Sequence, residues 1–141
     1  MNKSTTETSI DTKVLDDILK AIDSEYTAIA CYELLASQAP NEEKKKRILE
    51  IRNDEMRHYE TFWYLYYSLT DKEPNPKVTK QCANNYKTGV IDAFIDEQET
   101  VDFYHKISRS TDNPIIKNAF IQASADEQNH AVWYLYFLNQ L

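Results

Sequence analysis

Glycine and proline are scarce in this sequence, which has one glycine and four prolines among 141 residues. Tight turns depend largely on these two residue types, so the chain can form few of them. Long helices are therefore predicted rather than many short strands. A chain of this length can form one domain with a sizeable core.

Basic residues are outnumbered as well: 16 Lys and Arg face 23 Asp and Glu, a formal net charge of −7. Nucleic acids and anionic membranes bind to basic faces, so neither is an expected partner. No apolar run reaches the 18 residues that would indicate a membrane-spanning helix. Residues 1–12 are polar and lack the apolar segment of a signal peptide, which predicts a cytoplasmic protein.

Cysteine occurs only at Cys31 and Cys82. The two do not form a CxxC motif, which excludes a zinc knuckle or a CxxC redox site, and no disulfide framework is implied. We expect a small buried thiol at Cys31 and a separate thiol in a loop at Cys82.

Apolar residues, by contrast, recur at alternating spacings of three and four, the core-facing pattern of helices in a bundle. The pattern predicts four helices, of which the first begins between residues 9 and 12, after a flexible terminus at residues 1–9. Ala39-Pro40-Asn41 and Thr111-Asp112-Asn113-Pro114 are the predicted turns within the two helix pairs. The predicted core positions are Leu15, Ile18, Ile22, Glu25, Ile29, Tyr32, Ala36; Ile48, Ile51, Glu55, His58, Phe62, Leu65, Leu69; Val90, Phe94, Glu97, Val101, Tyr104, Ser108; and Ile116, Phe120, Ala123, Glu127, His130, Tyr134, Phe137, Leu141.

Residues 70–85 are the predicted connection between the two helix pairs. Sixteen extended residues reach about 50 Å, whereas helices of about 27 residues are about 40 Å long. The connection can therefore run the full height of a bundle and place the start of the third helix beside the start of the second. The predicted fold is all-α, a ferritin-like four-helix bundle over residues 10–141 with antiparallel hairpins at 10–69 and 86–141 and a long crossover.

Acidic and imidazole side chains interrupt the apolar core positions at matching places in the two halves. Glu55-x-x-His58 recurs 72 residues later as Glu127-x-x-His130, and a glutamate precedes each motif by 30 residues. The two halves are thus a diverged repeat. Glu25 and Glu55 are equally far along the chain from the first predicted turn, and Glu97 and Glu127 from the second. The two members of each pair therefore lie at the same height in an antiparallel hairpin. Because each histidine lies one turn beyond its glutamate, four glutamates and two histidines should meet at mid-bundle.

Four carboxylates in an apolar core require a compensating charge. A buried ionised carboxylate is strongly unfavourable unless it is paired, and no Lys or Arg occupies any of the predicted core positions. Two divalent cations would supply that charge, and oxygen with imidazole ligands suits iron or manganese. The predicted metal ligands are Glu25, Glu55, His58, Glu97, Glu127 and His130.

The pattern formed by these six residues resembles that of the di-iron carboxylate proteins of the ferritin-like superfamily. Within it, the near-symmetric hairpins and the Asp-Glu-x-x-His form are most similar to rubrerythrins, over about residues 10–141. The resemblance implies two iron ions, with manganese as the alternative, and no haem, flavin or nucleotide. It also implies that Glu55 and Glu127 bridge the ions, and that the terminal ligands pair as Glu25 with His58 and Glu97 with His130.

The sequence departs from rubrerythrins in three respects. The residue before the first ligand of each hairpin, often glycine in that family, is Ser24 in one hairpin and Asp96 in the other. A rubredoxin domain with four cysteines is not part of this sequence, so a separate electron-donor protein is expected as a partner. Rubrerythrins typically have a further glutamate one turn after the first ligand of the third helix. Here Thr100 or Val101 occupies that position, and Glu99 lies off the predicted core stripe.

The function implied by the resemblance is that of a metal-binding oxidoreductase in oxidative stress. Ferrous iron would react with hydrogen peroxide or O2, as in a peroxidase or ferroxidase, and the six ligands would be catalytic through the metals. The alternatives are iron storage, an O2-activating oxidase of an organic substrate, and a manganese catalase.

Four polar residues near the ligands have two interpretations each. Tyr32 and Tyr104 follow a ligand glutamate by two turns, and either contact the site or pack as ordinary core aromatics. Asp54 and Asp126 directly precede the Glu-x-x-His motifs. They either accept the second N–H of a ligand histidine or are solvated.

The segments 63–67 and 133–137 are aromatic on more than one helix face. A single core cannot bury every one of these side chains, and exposed aromatic patches usually mark contacts between chains. A homodimer is therefore expected. His105 and the basic run 44–47 are predicted to face solvent.

Overall fold

The structure is a computed structural model that describes residues 11–141. Over that range the chain forms four helices, α1 (Thr12–Gln38), α2 (Glu42–Thr70), α3 (Tyr86–Arg109) and α4 (Pro114–Leu138). Helix α1 packs along α2, and α3 along α4, with further contacts between α1 and α3 and between α2 and α4. This architecture confirms the predicted all-α four-helix bundle. The prediction of a flexible terminus at residues 1–9 falls outside the described residues.

A polar side chain caps the start of each helix. Asp11, Asn41, Asn85 and Asn113 each accept a hydrogen bond from a backbone N–H group of the first turn. Such caps satisfy donors that have no partner within the helix, and they determine where the helix begins. None of these helices is long and apolar enough to cross a membrane.

Two apolar clusters fill the interior, one towards each end of the bundle. One contains Ile18, Phe62, Tyr104 and Phe120, and its Phe62 and Phe120 rings stack with centroids 4.3 Å apart. The other is built around residues such as Tyr32, Ile48, Val90, Tyr134 and Phe137. Because the clusters lie on opposite sides of the predicted ligand residues along each helix, the layer between them is the polar one.

The buried stripe of each helix is wider than the predicted core positions. Leu15, Ile29, Leu69 and Phe94 are only half-buried, and Leu141 is exposed. Residues outside the predicted stripe are buried instead, among them Val14, Ala21, Leu35, Ala93 and Ile107. Two causes explain these differences. A helix with 3.6 residues per turn drifts away from a strict 3.5-residue pattern, and each helix buries side chains against two neighbouring helices rather than one.

Residues 71–85 run along α1 as the predicted long crossover. They are held at three successive levels of that helix, through Lys77 N–H to Asp23, Thr79 N–H to Thr27, and the Gln38 side chain to the Ala83 carbonyl. The crossover delivers the start of α3 to the end of α1. The single glycine, Gly89, lies at this contact, where an added Cβ atom would be 2.6 Å from Cδ1 of Leu35.

Cys31 and Cys82 are joined by a disulfide bond, so the expectation of two separate thiols was wrong. The two residues are 51 positions apart and meet only because the crossover lies against α1, which no cysteine spacing could indicate. The bond ties the crossover to α1 and closes a loop that contains all of α2. By the chain-entropy relation, closing a loop of this length stabilises the fold by about 4 kcal/mol.

The basic run 44–47 is partly buried, which corrects its assignment to solvent. Lys45 and Lys46 are exposed as predicted, as is His105. The Arg47 guanidinium, however, lies 3.9 Å from the centre of the Trp133 ring, and the Lys44 ammonium 5.8 Å from that of Phe137. These cation–π contacts join the start of α2 to the end of α4.

We predict that replacing both cysteines by serine lowers the free energy of unfolding by about 4 kcal/mol, because the unfolded chain regains the entropy of the open loop. Equilibrium urea denaturation of the oxidised protein and of the Cys31→Ser/Cys82→Ser variant measures the difference. The folded variant should keep its circular dichroism spectrum. A difference below about 1 kcal/mol would contradict the entropic role of the bond.

Candidate metal centre

All six predicted ligands meet in the polar layer between the two apolar clusters. Each of the four helices contributes one glutamate, and α2 and α4 also contribute a histidine one turn later. The most accessible of the six, His58, is only 5% exposed, and the others are 1–2% exposed. The residues that converge are Glu25, Glu55, His58, Glu97, Glu127 and His130.

These residues form two overlapping groups with the geometry of cation sites. In each group, one ligand atom from every member lies within 4.8 Å of the others. Glu25 and His58 complete one group, and Glu97 and His130 complete the other, while Glu55 and Glu127 belong to both. Two shared carboxylates between two terminal pairs is the arrangement that a pair of bridged cations requires.

The carboxylates lack a compensating charge of their own. Among residues 11–141, the cationic groups within 4 Å of them are His58 and His130 alone. One oxygen of every glutamate, the Oε1 atom, is buried without a hydrogen-bond partner in this part of the chain, as is Nδ1 of His130. Orphaned buried acceptors are costly. Bound cations would satisfy all five atoms, so the residues present fit a two-metal site.

Burial raises the pKa of the Glu55 and Glu127 carboxyls well above the usual range, and the neighbouring carboxylates raise them further. Burial also raises the pKa of Glu97. Burial lowers the pKa of His58, but the hydrogen bond that the protonated ring donates to Glu25 and the negative charges of Glu25 and Glu55 raise it to about 11. The pKa of His130 is likewise raised to about 10, chiefly by Glu97. Without cations, the site therefore retains protons.

Each of the two tyrosines donates a hydrogen bond to a glutamate of the other hairpin. The Tyr32 hydroxyl donates to Oε2 of Glu97 at 2.8 Å, and the Tyr104 hydroxyl to Oε2 of Glu25 at 2.6 Å. Both bonds reach the glutamates that belong to one group only. The tyrosines thus contact the site and orient its two outer carboxylates.

Each of the two aspartates likewise contacts a histidine of the other hairpin. His58 Nε2 lies 2.8 Å from Oδ2 of Asp126, and His130 Nε2 lies 2.8 Å from Oδ2 of Asp54. An aspartate that accepts a hydrogen bond from Nε2–H directs Nδ1 of the same ring towards the glutamates. His130 and Arg57 also lower the pKa of Asp54 through hydrogen bonds, which outweigh the effect of its partial burial.

A small cavity connects the centre to the surface between α1 and α3. Its volume is about 20 Å³, and a water molecule needs roughly 10–15 Å³ by this measure. Thr100 lines the cavity, whereas Val101 is buried in the core and Glu99 is exposed. The wall thus has a hydroxyl where a rubrerythrin would have a further carboxylate. The lining residues that were not predicted are Ser24, Ala28 and Asp96, each within four positions of a ligand glutamate.

Comparisons with known proteins agree with this architecture. The chain is 48% identical over 128 residues to the uncharacterized protein YhjR of Bacillus subtilis (strain 168), across 91% of this chain and 88% of that protein. No protein-family model matches the chain.

Two solved structures are similar in fold. A bacterioferritin of Desulfovibrio desulfuricans, described with a diiron site in different catalytic states, superimposes with a TM-score of 0.84 at 20% identity, over 94% of this chain and 82% of that one. A hypothetical protein of Pyrococcus furiosus gives a TM-score of 0.79 at 16% identity, over 94% and 93% of the two chains. These likenesses establish the ferritin-like fold.

We predict that Glu55→Gln stabilises the metal-free protein by about 1–3 kcal/mol, the usual cost of a buried polar group without a partner. The substitution removes one of four mutually repelling carboxyls and adds amide donors for its neighbours. Chemical denaturation in the presence of a chelator measures the change. Glu60→Gln, at an exposed position of the same helix, is the matched control and should have no effect; a destabilised Glu55→Gln protein would contradict the repulsion.

The metal-free protein should also become less stable as the pH rises from about 6.5 to 10. Raised pKa values of about 11 and 10 mean that protonated His58 and His130 stabilise the fold below pH 6.5 and lose this effect as they deprotonate. The raised pKa values of Glu55 and Glu127 act in the same direction. Thermal unfolding across this range tests the sign. Mn²⁺ should abolish the decrease, because its ligands are already deprotonated.

Proposed function

The chain belongs to the same family as YhjR of Bacillus subtilis, and from its ferritin-like fold and buried acidic centre we propose that it is a di-iron oxidoreductase of rubrerythrin type. It would reduce hydrogen peroxide or O2 as Fe(II) is oxidised. The observation that supports this most directly is the pair of overlapping ligand groups that share Glu55 and Glu127. The diiron site described for the similar bacterioferritin is further support.

In this proposal, Glu55 and Glu127 would be ligands shared by two iron ions, Glu25 and His58 would complete one site, and Glu97 and His130 would complete the other. Two Fe(II) ions would supply the two electrons that reduction of peroxide to water requires, and would polarise the bound oxygen substrate. The protein would hold the ligands in place. Asp126 and Asp54 orient the histidines, and Tyr104 and Tyr32 orient the terminal glutamates.

The cavity between α1 and α3 favours a small oxidant over an organic substrate. Its volume of about 20 Å³ suits a molecule of the size of water or peroxide, whereas pockets for organic ligands are typically several hundred Å³. Tyr32 and Thr100 line the cavity, and their hydroxyl groups can hold protons near the oxygen that is reduced. The two apolar clusters close the centre above and below.

The exposed aromatic residues on α2 and α4 support a homodimer. Tyr64 is 69% exposed and Tyr136 51%, and Tyr67 and Leu135 are exposed beside them. Tyr64 and Tyr136 occupy equivalent positions of the internal repeat, 72 residues apart. A second copy of the chain would cover apolar area that otherwise faces water.

Iron storage is the second candidate, because the similar bacterioferritin has the same fold and the chain is acidic. Storage would need assembly of many chains into a shell, whereas a peroxidase does not. Light scattering of the purified protein separates the two: a particle of two chains favours the oxidoreductase, and a particle of many chains favours storage. In the oxidoreductase, a separate electron donor would return the centre to its reduced state.

We predict that Glu55→Ala abolishes binding of the metal pair, since it removes a carboxylate shared by both groups. Metal analysis after anaerobic loading with Fe(II) should give two irons per chain for the wild-type protein and for Glu99→Ala, an exposed control on α3. Stopped-flow oxidation should be at least about tenfold faster with peroxide than with O2. Retention of two irons by Glu55→Ala would refute the assignment.

A further inference from the structure

The disulfide bond lies on the same side of the bundle as the cavity at the candidate metal centre. Cys31 is followed in the chain by Tyr32, whose hydroxyl donates to the ligand glutamate Glu97. Both cysteines line a pocket that shares Ala28, Tyr32 and Asp96 with the cavity at the centre. One wall, built from α1 and α3, therefore separates the sulfur atoms from the buried carboxylates.

We infer that Cys31 and Cys82 are a redox-active pair that supplies two electrons to the reaction at the metal centre. The inference rests on the proposed function and extends it, since it assigns the internal source of electrons. A dithiol and its disulfide form a two-electron couple, and reduction of one peroxide molecule takes two electrons. The stoichiometry of the pair thus matches that of the centre.

The reaction balances without a further reagent. The two thiols lose two protons and two electrons as the S–S bond forms. Hydrogen peroxide gains both, its O–O bond breaks, and two water molecules result. The metal centre ends in the oxidation state in which it began, so the net change is dithiol plus peroxide to disulfide plus two waters.

An external dithiol would then restore the pair by thiol–disulfide exchange, through a mixed disulfide with one of the two sulfurs. Both cysteines are only half-buried, and the pocket that they line opens to the surface beside Gln81 and Lys80. The electron donor expected from the sequence would accordingly act at this pocket rather than on the buried metals.

The crossover keeps the two sulfurs together when the bond is open. Hydrogen bonds to α1 hold it on both sides of Cys82, from Thr79 to Thr27 and between Ala83 and Gln38. An ion pair between Lys80 and Asp96 attaches it to α3 as well. Reduction therefore leaves the thiols within reach of each other, and a pre-positioned pair re-forms its bond at a high effective concentration.

The alternative is a disulfide that only stabilises the fold. Disulfides of that kind belong to oxidising compartments, whereas those of a reducing cytosol are usually transient and catalytic or redox-sensing. In a reducing compartment this bond would be a reversible couple. Both roles predict a loss of stability in Cys31→Ser/Cys82→Ser, so the decisive measurement must follow the thiols themselves.

The test uses the wild-type protein, reduced with dithiothreitol, freed of reductant, loaded anaerobically with Fe(II) and mixed with one equivalent of hydrogen peroxide. Samples quenched in acid with N-ethylmaleimide give the number of thiols per chain by mass, and a ferrous chelator gives the remaining Fe(II). We expect the count to fall from two thiols to none within seconds, with Fe(II) retained. In the metal-free protein the loss should be at least about a hundredfold slower.

Three results would overturn the inference or its premise, and they can be told apart. If the iron becomes ferric while both thiols persist, the redox role of the cysteines is refuted and the proposed function stands. If the metal-free protein loses its thiols equally fast, the cysteines react without the centre and the inference again fails. If no iron is bound, the proposed function itself fails.

Variants provide an independent check. In Cys82→Ser, one equivalent of peroxide should oxidise the iron to the ferric state. The single remaining thiol should not reduce that iron back to Fe(II). Asn84→Ser is the matched control, since Asn84 is exposed in the same segment and does not line the pocket; it should behave as the wild-type protein does. Fe(II) retained by Cys82→Ser at the wild-type level would contradict the electron transfer from the pair.

Discussion

The rest of the structure depends on the burial of four glutamates and two histidines in one layer of an apolar core. Burial raises the pKa of Glu55, Glu97 and Glu127, and one oxygen of every glutamate is left without a hydrogen-bond partner among the described residues. An arrangement of this kind is unfavourable for the fold by itself. It persists because two apolar clusters above and below hold the helices in register, and because it is complementary to two cations.

The internal repeat explains how the centre is supported. Tyr32 and Tyr104, like Asp54 and Asp126, each bond across to a ligand of the other hairpin. Neither hairpin can therefore form its half of the site alone, because the tyrosine or aspartate that orients each terminal ligand belongs to the other hairpin. The two hairpins are coupled through these four bonds in the layer of glutamates and histidines, and through the apolar clusters elsewhere.

The crossover breaks the symmetry of the repeat. It lies along α1 and against α3, so one side of the bundle has a covered wall and the other does not. The disulfide, the ion pair of Lys80 with Asp96 and the small cavity all lie on that covered side. The asymmetry matters for chemistry, because it places a two-electron couple beside one entrance to an otherwise symmetric centre.

The sequence by itself determined the helices, the crossover topology and the identity of the six converging residues, because periodicity, turn residues and the 72-residue repeat are local or regular signals. It predicted less well which residues are fully buried, as Ile29 and Phe94 show, since that depends on how two neighbouring helices pack. Only the tertiary structure decided that Tyr32 bonds to Glu97 and that Asp126 bonds to His58. The same is true of the Cys31–Cys82 bond. These partners lie 51 to 68 positions apart, and such contacts arise from the docking of whole elements, which no spacing along the chain encodes.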